Sequence, residues 1–398
     1  EPRRPGGKNM TDFGGTTTSG RAPRAARPFT RLAKLLTAPI LTLLAACATL
    51  PAMAQPSTGA TITFAEQATV DGDGATATGA RVVITAGGTY VITGQASNGS
   101  VTVDAAGADV TLVLSGLDLT NAEGPAIYVA AAGSATVTLA AGSSNQVADG
   151  GSSEYDAALY SDAPLVIDGE GALDVHAVYE GISSTSHIDI VSGTIRIFAS
   201  EDGINANQDG VSRITVSGGY VYVQTDTGDG IDSNGTITIT GGVVVTQAAL
   251  VDANSGLDAD GDVTIDGGVV VATGSQMMGS VATDSAQETI VVNYGASQAA
   301  GTLIVVRDEA GNDLLAFAPA NGYQQLLFSS PALQDGVTYT VYSGGTPTGV
   351  GVDGLYAAGA ADPGTAVATV TTESAQGGGG FGPGFGGPGA GRGAPGRP

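Results

Sequence analysis

The chain has 398 residues, 14 of them basic and 38 acidic, for a formal charge of −24, and 63 are Gly. A polyanion of this kind excludes nucleic-acid binding. With one Cys, no Trp and 13% charged residues, it also excludes a disulfide scaffold, a Cys-based zinc site and a long charged coiled coil. Gly and β-branched residues are poor helix formers, whereas short strands joined by Gly, Asp and Asn turns suit the composition, so an all-β protein is expected.

Charge is concentrated at the start. Residues 1–54 hold Arg3, Arg4, Lys8, Arg21, Arg24, Arg27, Arg31 and Lys34 against Glu1 and Asp12, and beyond them six Arg face 36 acids. A basic stretch ending at Lys34, the apolar run Leu35 to Leu50 and then small residues read as a secretory signal too short to span a membrane, so the protein is expected to be exported by a bacterium or held at its surface. Two processing sites compete. Leu44-Ala45-Ala46-Cys47 is a lipobox-like sequence that would lipidate Cys47 and anchor the chain to the outer membrane, while Ala52-Met53-Ala54 before Gln55 is an A-x-A cleavage site, which is favoured.

Segment 56–280 is organised by repeats. Gly181-Ile182, Gly203-Ile204, Gly230-Ile231 and Gly256-Leu257 recur at spacings of 22, 27 and 26 residues, each followed by an alternating strand, a Gly turn and another alternating strand. No unit can bury its apolar residues alone, but stacking units at about 4.8 Å pairs every strand with the coils above and below. The expected fold is therefore a parallel β-helix, with a β-sandwich as the alternative. Earlier segments such as Val101-Asp104, Val110-Leu114 and Leu165-Asp168 read as wider, looser coils.

After Met277 the pattern changes to hairpins: Glu288-Tyr294, Thr302-Arg307, Leu314-Ala318, Tyr323-Phe328 and Thr338-Tyr342. Segment 281–345 reads as a C-terminal β module that caps or flanks the solenoid, 346–375 as a linker, and 376–398, with 12 Gly, as a disordered tail, which would be an anchor or contact segment if the protein self-associates.

The repeat turns carry the chemistry. Residues 201–266 contain eleven carboxylates and one Arg. In register, Glu180, Asp202, Asp229 and Ser255 precede the Gly, Ser183, Asn205, Asp232 and Asp258 follow two after it, and Thr185, Asn207, Asn234 and Asp260 four after it. Like carboxylates stacked one strand apart repel unless protonated, solvated or neutralised. Calcium takes about six to eight oxygen ligands in irregular geometry, which Asp/Asn turns and their carbonyls supply. The candidate calcium ligands are Asp202, Asn205, Asn207, Asp229, Asp232, Asn234, Asp258, Asp260 and Asp262; the competing reading is that they are solvated turn residues. Asp258-Ala259-Asp260-Gly261-Asp262 is not an EF-hand loop, since Val263 and Val269 stand where Gly and Glu are required.

Gly88-Thr89-Tyr90-Val91-Ile92-Thr93-Gly94, Val110 to Leu117, Gly142-Ser143-Ser144-Asn145 with Asp149, Ile167 to Leu173 and the Asp-Gly-Ile coils resemble, in that order over about 60–345, a known family. It comprises secreted bacterial carbohydrate-binding proteins with a polysaccharide-lyase-like, right-handed parallel β-helix. Members bind cellulose-type and acidic-sugar polymers and carry calcium. The resemblance implies the same handedness here, polysaccharide as the partner, and a further cation site at Asn145 and Asp149.

Tyr220 and Tyr222 align in columns with Thr194/Val243/Val269 and Arg196/Val245/Val271, forming an apolar stripe with one Arg. Tyr220, Tyr222 and Arg196 are the candidate ligand-binding residues, by stacking on pyranose rings and pairing to a uronate, unless the C-terminal module covers them. Of Arg81, Arg196, Arg213 and Arg307, Arg213 is the first candidate base for a calcium-dependent, pectate-type lyase, against the simpler reading that it pairs with turn carboxylates. His176 and His187 have no nucleophile motif beside them. The reading that results is a non-catalytic, calcium-stabilised protein that adheres to acidic or cellulose-type polysaccharide; a lyase and a self-associating surface protein are the alternatives.

Overall fold

A computed structural model describes residues 59–151, 155–275 and 281–372. The signal-like segment 1–54 with Cys47, the tail 376–398 and Met277 lie outside them. Among the described residues every regular element is a strand. They wind into a parallel β-helix with three faces, closed at its C-terminal end by antiparallel strands.

Alternation sets the core. On the first face Tyr90, Leu112, Val137, Ile167, Ile190, Val216, Ile239 and Ile265 follow one another rung by rung, each fully buried. The third face supplies Val82, Val101, Ile127, Leu159, Ile182, Ile204, Ile231 and Leu257 in the same way. The second face contributes Leu119, Val147, Val175, Ile197 and Val223. Side chains two residues apart point the same way along a strand, so the three columns meet in one interior. The irregular early coils join the same ladders as the regular later ones, and the continuous parallel pairing excludes a sandwich.

The Gly-aliphatic repeat has a direct structural meaning. The amides of Ile182, Ile204 and Ile231 donate to the carbonyls of Gly203, Gly230 and Gly256 one coil on, at 3.0, 3.2 and 3.1 Å. A Cβ on Gly181, Gly203 or Gly230 would lie 2.5–2.6 Å from that same carbonyl oxygen. Only glycine lets the backbone of successive turns approach this closely.

Both ends change pairing direction. At the start, Ala60–Phe64 pairs antiparallel with Thr69–Gly72 and Ala75–Thr78 with Arg81–Ile84. At the other end Val269–Gly274, the last second-face strand, pairs antiparallel with Tyr323–Ser329, which pairs in turn with Thr289–Gln298. A separate sheet follows in the order Asp313–Phe317, Leu303–Arg307, Thr338–Pro347, Ala361–Thr371. The segment read from sequence as a linker therefore contains a strand, Ala361–Thr371, which pairs along its whole length with Thr338–Pro347.

Ile214 is fully buried between Ile188 and Ile237, so Ile214→Ala should cost about 2–5 kcal/mol in urea denaturation. Val211, 54% exposed in the turn just before it, should tolerate Ala within about 0.5 kcal/mol.

Candidate functional site

The outward column of the third face runs Thr102, Tyr128, Tyr160, Ser183, Asn205, Asp232, Asp258, each residue directly paired with the next. Alternation puts this column on the opposite side of the sheet from the Val82-to-Leu257 core column. Beside its later half runs the turn column Glu180, Asp202, Asp229, Ser255. Here the carboxylates are built into the coil stack. Asp202 Oδ1 accepts the Asp229 amide at 2.7 Å, and Asp229 Oδ1 accepts the Ser255 amide, so each acid holds the turn of the following coil. Asn205 Nδ2 donates to Glu180 Oε1 at 2.7 Å and to Asp202 Oδ2 at 3.3 Å.

This packing removes the acids from water and sets them against one another. Burial, reinforced by Asp156 and Asp202, pushes the Glu180 carboxyl well above the usual range. Burial likewise raises Asp202 to about 6, with Glu201, Asp258 and Asp156 adding to it. Asp229 rises to about 7 through burial and then Asp202 and Asp258. Asp232 rises to about 8 through burial and then Asp202, Asp229, Asp258 and Asp260. Asp258 is raised too, by burial first. Three oxygens in the same place, Glu180 Oε2, Asn205 Oδ1 and Ser183 Oγ, are buried without a hydrogen-bond partner, on side chains at most 7% exposed. Such orphaned oxygens are costly.

The family described as carbohydrate-binding domain-containing protein matches residues 78–310, which takes in the parallel ladders from the second coil to the last and both acidic columns. The chain belongs to that family. It is also similar, at 27% identity and a TM-score of 0.44, to a solved structure of a polysaccharide lyase-like protein from C. thermocellum, a gadolinium derivative; the match covers 54% of this chain and 94% of that one. No curated protein matches.

Within this family member, the nine sequence-derived cation ligands divide. Asp202, Asn205, Asp229, Asp232 and Asp258 lie in the two adjoining columns that begin at Glu180 and Ser183 and run over successive coils, and of these five only Asn205 and Asp202 act on Glu180 itself. Asp260, although exposed, adds to the field at Asp232 and Asp258. Asn207 and Asn234 belong to the turn leading to the first face, where Asn234 Nδ2 donates to the Asn207 carbonyl and to Asp209 Oδ1. Asp262 is exposed and offers its carbonyl to the Ile237 amide. Among the described residues no three His, Cys, Asp or Glu side chains form a ready-made metal cluster, so a cation here would depend on mixed donors, including Asn205, Ser183 and backbone carbonyls.

The tyrosine stripe is not an open platform. Tyr222 is 4% exposed and packs with Val245 and Val271 under Ile290, Phe328 and Phe317 of the C-terminal module. Tyr220 donates to Asp353 at 2.8 Å, and Arg196 pairs with the same carboxylate at 2.9 Å. The stripe is thus covered by the C-terminal module, the alternative to sugar stacking that the sequence leaves open. Arg213 pairs with Asp189 at 3.1 Å on the first face, outside the acidic columns. Asn145 is already satisfied: its Oδ1 accepts the Gly116 and Leu117 amides, and its Nδ2 donates to Ser143 Oγ and the Ala172 carbonyl. It pins the bulge after Leu114 and has no capacity left for a cation. Asp149 accepts from the Val178 amide, and its Oδ2 is unpartnered.

The raised carboxyls fix the pH response of the cation-free chain. They stay protonated in the folded state up to about pH 6–8 while the unfolded chain ionises from about pH 4, so the stability they contribute is full below pH 4 and is lost as pH rises. In chelator, circular-dichroism melting should show the melting temperature falling from pH 5 to pH 8. Asp232→Asn should flatten that fall; a rising profile would contradict the assignment.

Proposed function

We propose that the protein is an exported, non-catalytic module that adheres to polysaccharide and is stabilised by calcium on its third face. The observation that carries this reading is the acidic stack itself. Membership in a carbohydrate-binding family supports a sugar ligand, and the unpartnered oxygens of Glu180, Asn205 and Ser183 among raised carboxyls support a hard cation. Glu180, Asp202, Asn205, Asp229, Asp232 and Asp258, on four successive coils, are the residues that would hold such ions, each ion shared between neighbouring coils. A bound divalent ion would supply the positive charge these side chains lack and would let carboxylates of an acidic sugar approach a chain with a formal charge of −24.

Adhesion is favoured over elimination by the state of the arginines. Arg81, Arg196, Arg213 and Arg307 are each held by a carboxylate, from Glu123, Asp353, Asp189 and Asp313. The same reading places the chain outside the cell, either cleaved after Ala54 or lipidated at Cys47, and allows copies to associate through bridging cations.

Calcium at a hundredfold excess over its Kd should stabilise the fold by about 2.7 kcal/mol, a rise of about 4 °C in melting temperature at pH 7.5 for a fold of this size. The doubly substituted Glu180→Gln/Asp232→Asn chain should lose most of that rise. Retention on polygalacturonate gel should require calcium and release no unsaturated product. Identical melting in calcium and chelator would overturn the cation reading, and retention on neither polygalacturonate nor cellulose would overturn the adhesive one.

A further inference from the structure

The outward column of the third face changes character along its length. Before Ser183 it carries rings. Tyr128 and Tyr160 sit on adjacent rungs, and Tyr155, from the segment that leads into the second of these strands, joins them. The ring centroids of Tyr128 and Tyr155 are 4.3 Å apart, those of Tyr155 and Tyr160 5.1 Å, and those of Tyr128 and Tyr160 5.9 Å. All three are partly exposed. None belongs to the apolar clusters of the solenoid interior or of the C-terminal module, which covers the second face instead.

The surroundings of this aromatic patch are acidic. Tyr128 Oη donates to Asp162 Oδ2 at 2.9 Å. The carboxylates of Asp162, Asp156 and Glu180 all act on the Tyr160 phenol, so the patch abuts the upper end of the acidic stack. Asp156 and Asp162 are themselves exposed. Burial and these neighbours keep the Tyr128 and Tyr160 phenols un-ionised at any physiological pH.

A tyrosine offers an apolar ring face and a polar tip, which suits a ligand that is apolar on one side and hydroxylated at its edge. A pyranose ring has that form: axial C–H bonds on its faces and hydroxyls around its rim. Exposed carboxylates accept hydrogen bonds from such hydroxyls but repel a sugar that carries its own carboxylate. We infer that Tyr128, Tyr155 and Tyr160 form a stacking site for neutral pyranose units of a glycan chain, with Asp156 and Asp162 as hydroxyl acceptors that disfavour uronates. The inference rests on the carbohydrate-adhesion reading above and adds to it a place and a ligand charge. It also divides the third face into an aromatic half for uncharged sugar and an acidic half that needs a counter-ion.

The test uses the full chain in calcium, with amorphous cellulose in sedimentation and cellohexaose followed by tyrosine absorbance. Tyrosine is a usable probe because the chain has no Trp. Tyr155→Ala should weaken binding roughly two- to tenfold and Tyr155→Ala/Tyr160→Ala further, as expected for lost ring contacts. Tyr160→Phe, which keeps the ring and the packing, should bind like the parent, and polygalacturonate retention should be unchanged in all three. Tyr155 lies outside the strands, so its variant guards against loss of fold, which melting curves check directly. Equal cellulose binding by parent and alanine variants would overturn this site while leaving the adhesion reading intact. Parent retention on polygalacturonate alone would do the same, and retention on no glycan would overturn both.

Discussion

Everything in this molecule depends on backbone pairing in register between coils. Residue i of one turn meets its counterpart of the next at a single strand spacing, so any side-chain type that recurs at the repeat becomes a continuous column. Apolar recurrences become the core, glycine recurrences become the close contact between turns at Gly181, Gly203, Gly230 and Gly256, and acidic recurrences become the stack from Glu180 to Asp258. One constraint thus produces both what stabilises the fold and what strains it. The acidic stack opposes folding through burial and mutual repulsion, and it persists because Asp202 and Asp229 satisfy the turn amides of neighbouring coils.

The sequence made this architecture legible where its period was nearly constant. The alignments Ser183/Asn205/Asp232/Asp258 and Thr194/Tyr220/Val243/Val269 are those of the structure, because two consecutive Gly-aliphatic turns leave no freedom of register. The earlier coils vary more in length. Ile127 and Leu159 occupy the same column although the intervening coil is longer than the others, and without that alignment the meeting of Tyr128 with Tyr160 has no signature.

Contacts between distant segments were less legible still. Asp353, in a segment that reads as linker, closes over Arg196 and Tyr220, residues more than a hundred positions earlier. The periodicity of one strand reveals that its outer side is apolar but not which element will cover it. Side-chain capacity posed a similar difficulty at Asn145. It stands in a Gly-Ser-Ser-Asn turn that suits a ligand role, yet its Oδ1 is taken by the Gly116 and Leu117 amides of a neighbouring bulge and its Nδ2 by Ser143 and the Ala172 carbonyl, a feature visible only once the coils are stacked.

The reversal of strand direction at Val269–Gly274 has a consequence for the length of the rod. A coil added beyond that strand, whether by another copy or by a misregistered repeat, would need a parallel template on the second face and finds Tyr323–Ser329 already seated antiparallel there. Growth along the axis by parallel pairing is blocked on that face. The solenoid is in this respect a ruler, its span of rings and carboxylates set by the number of its rungs.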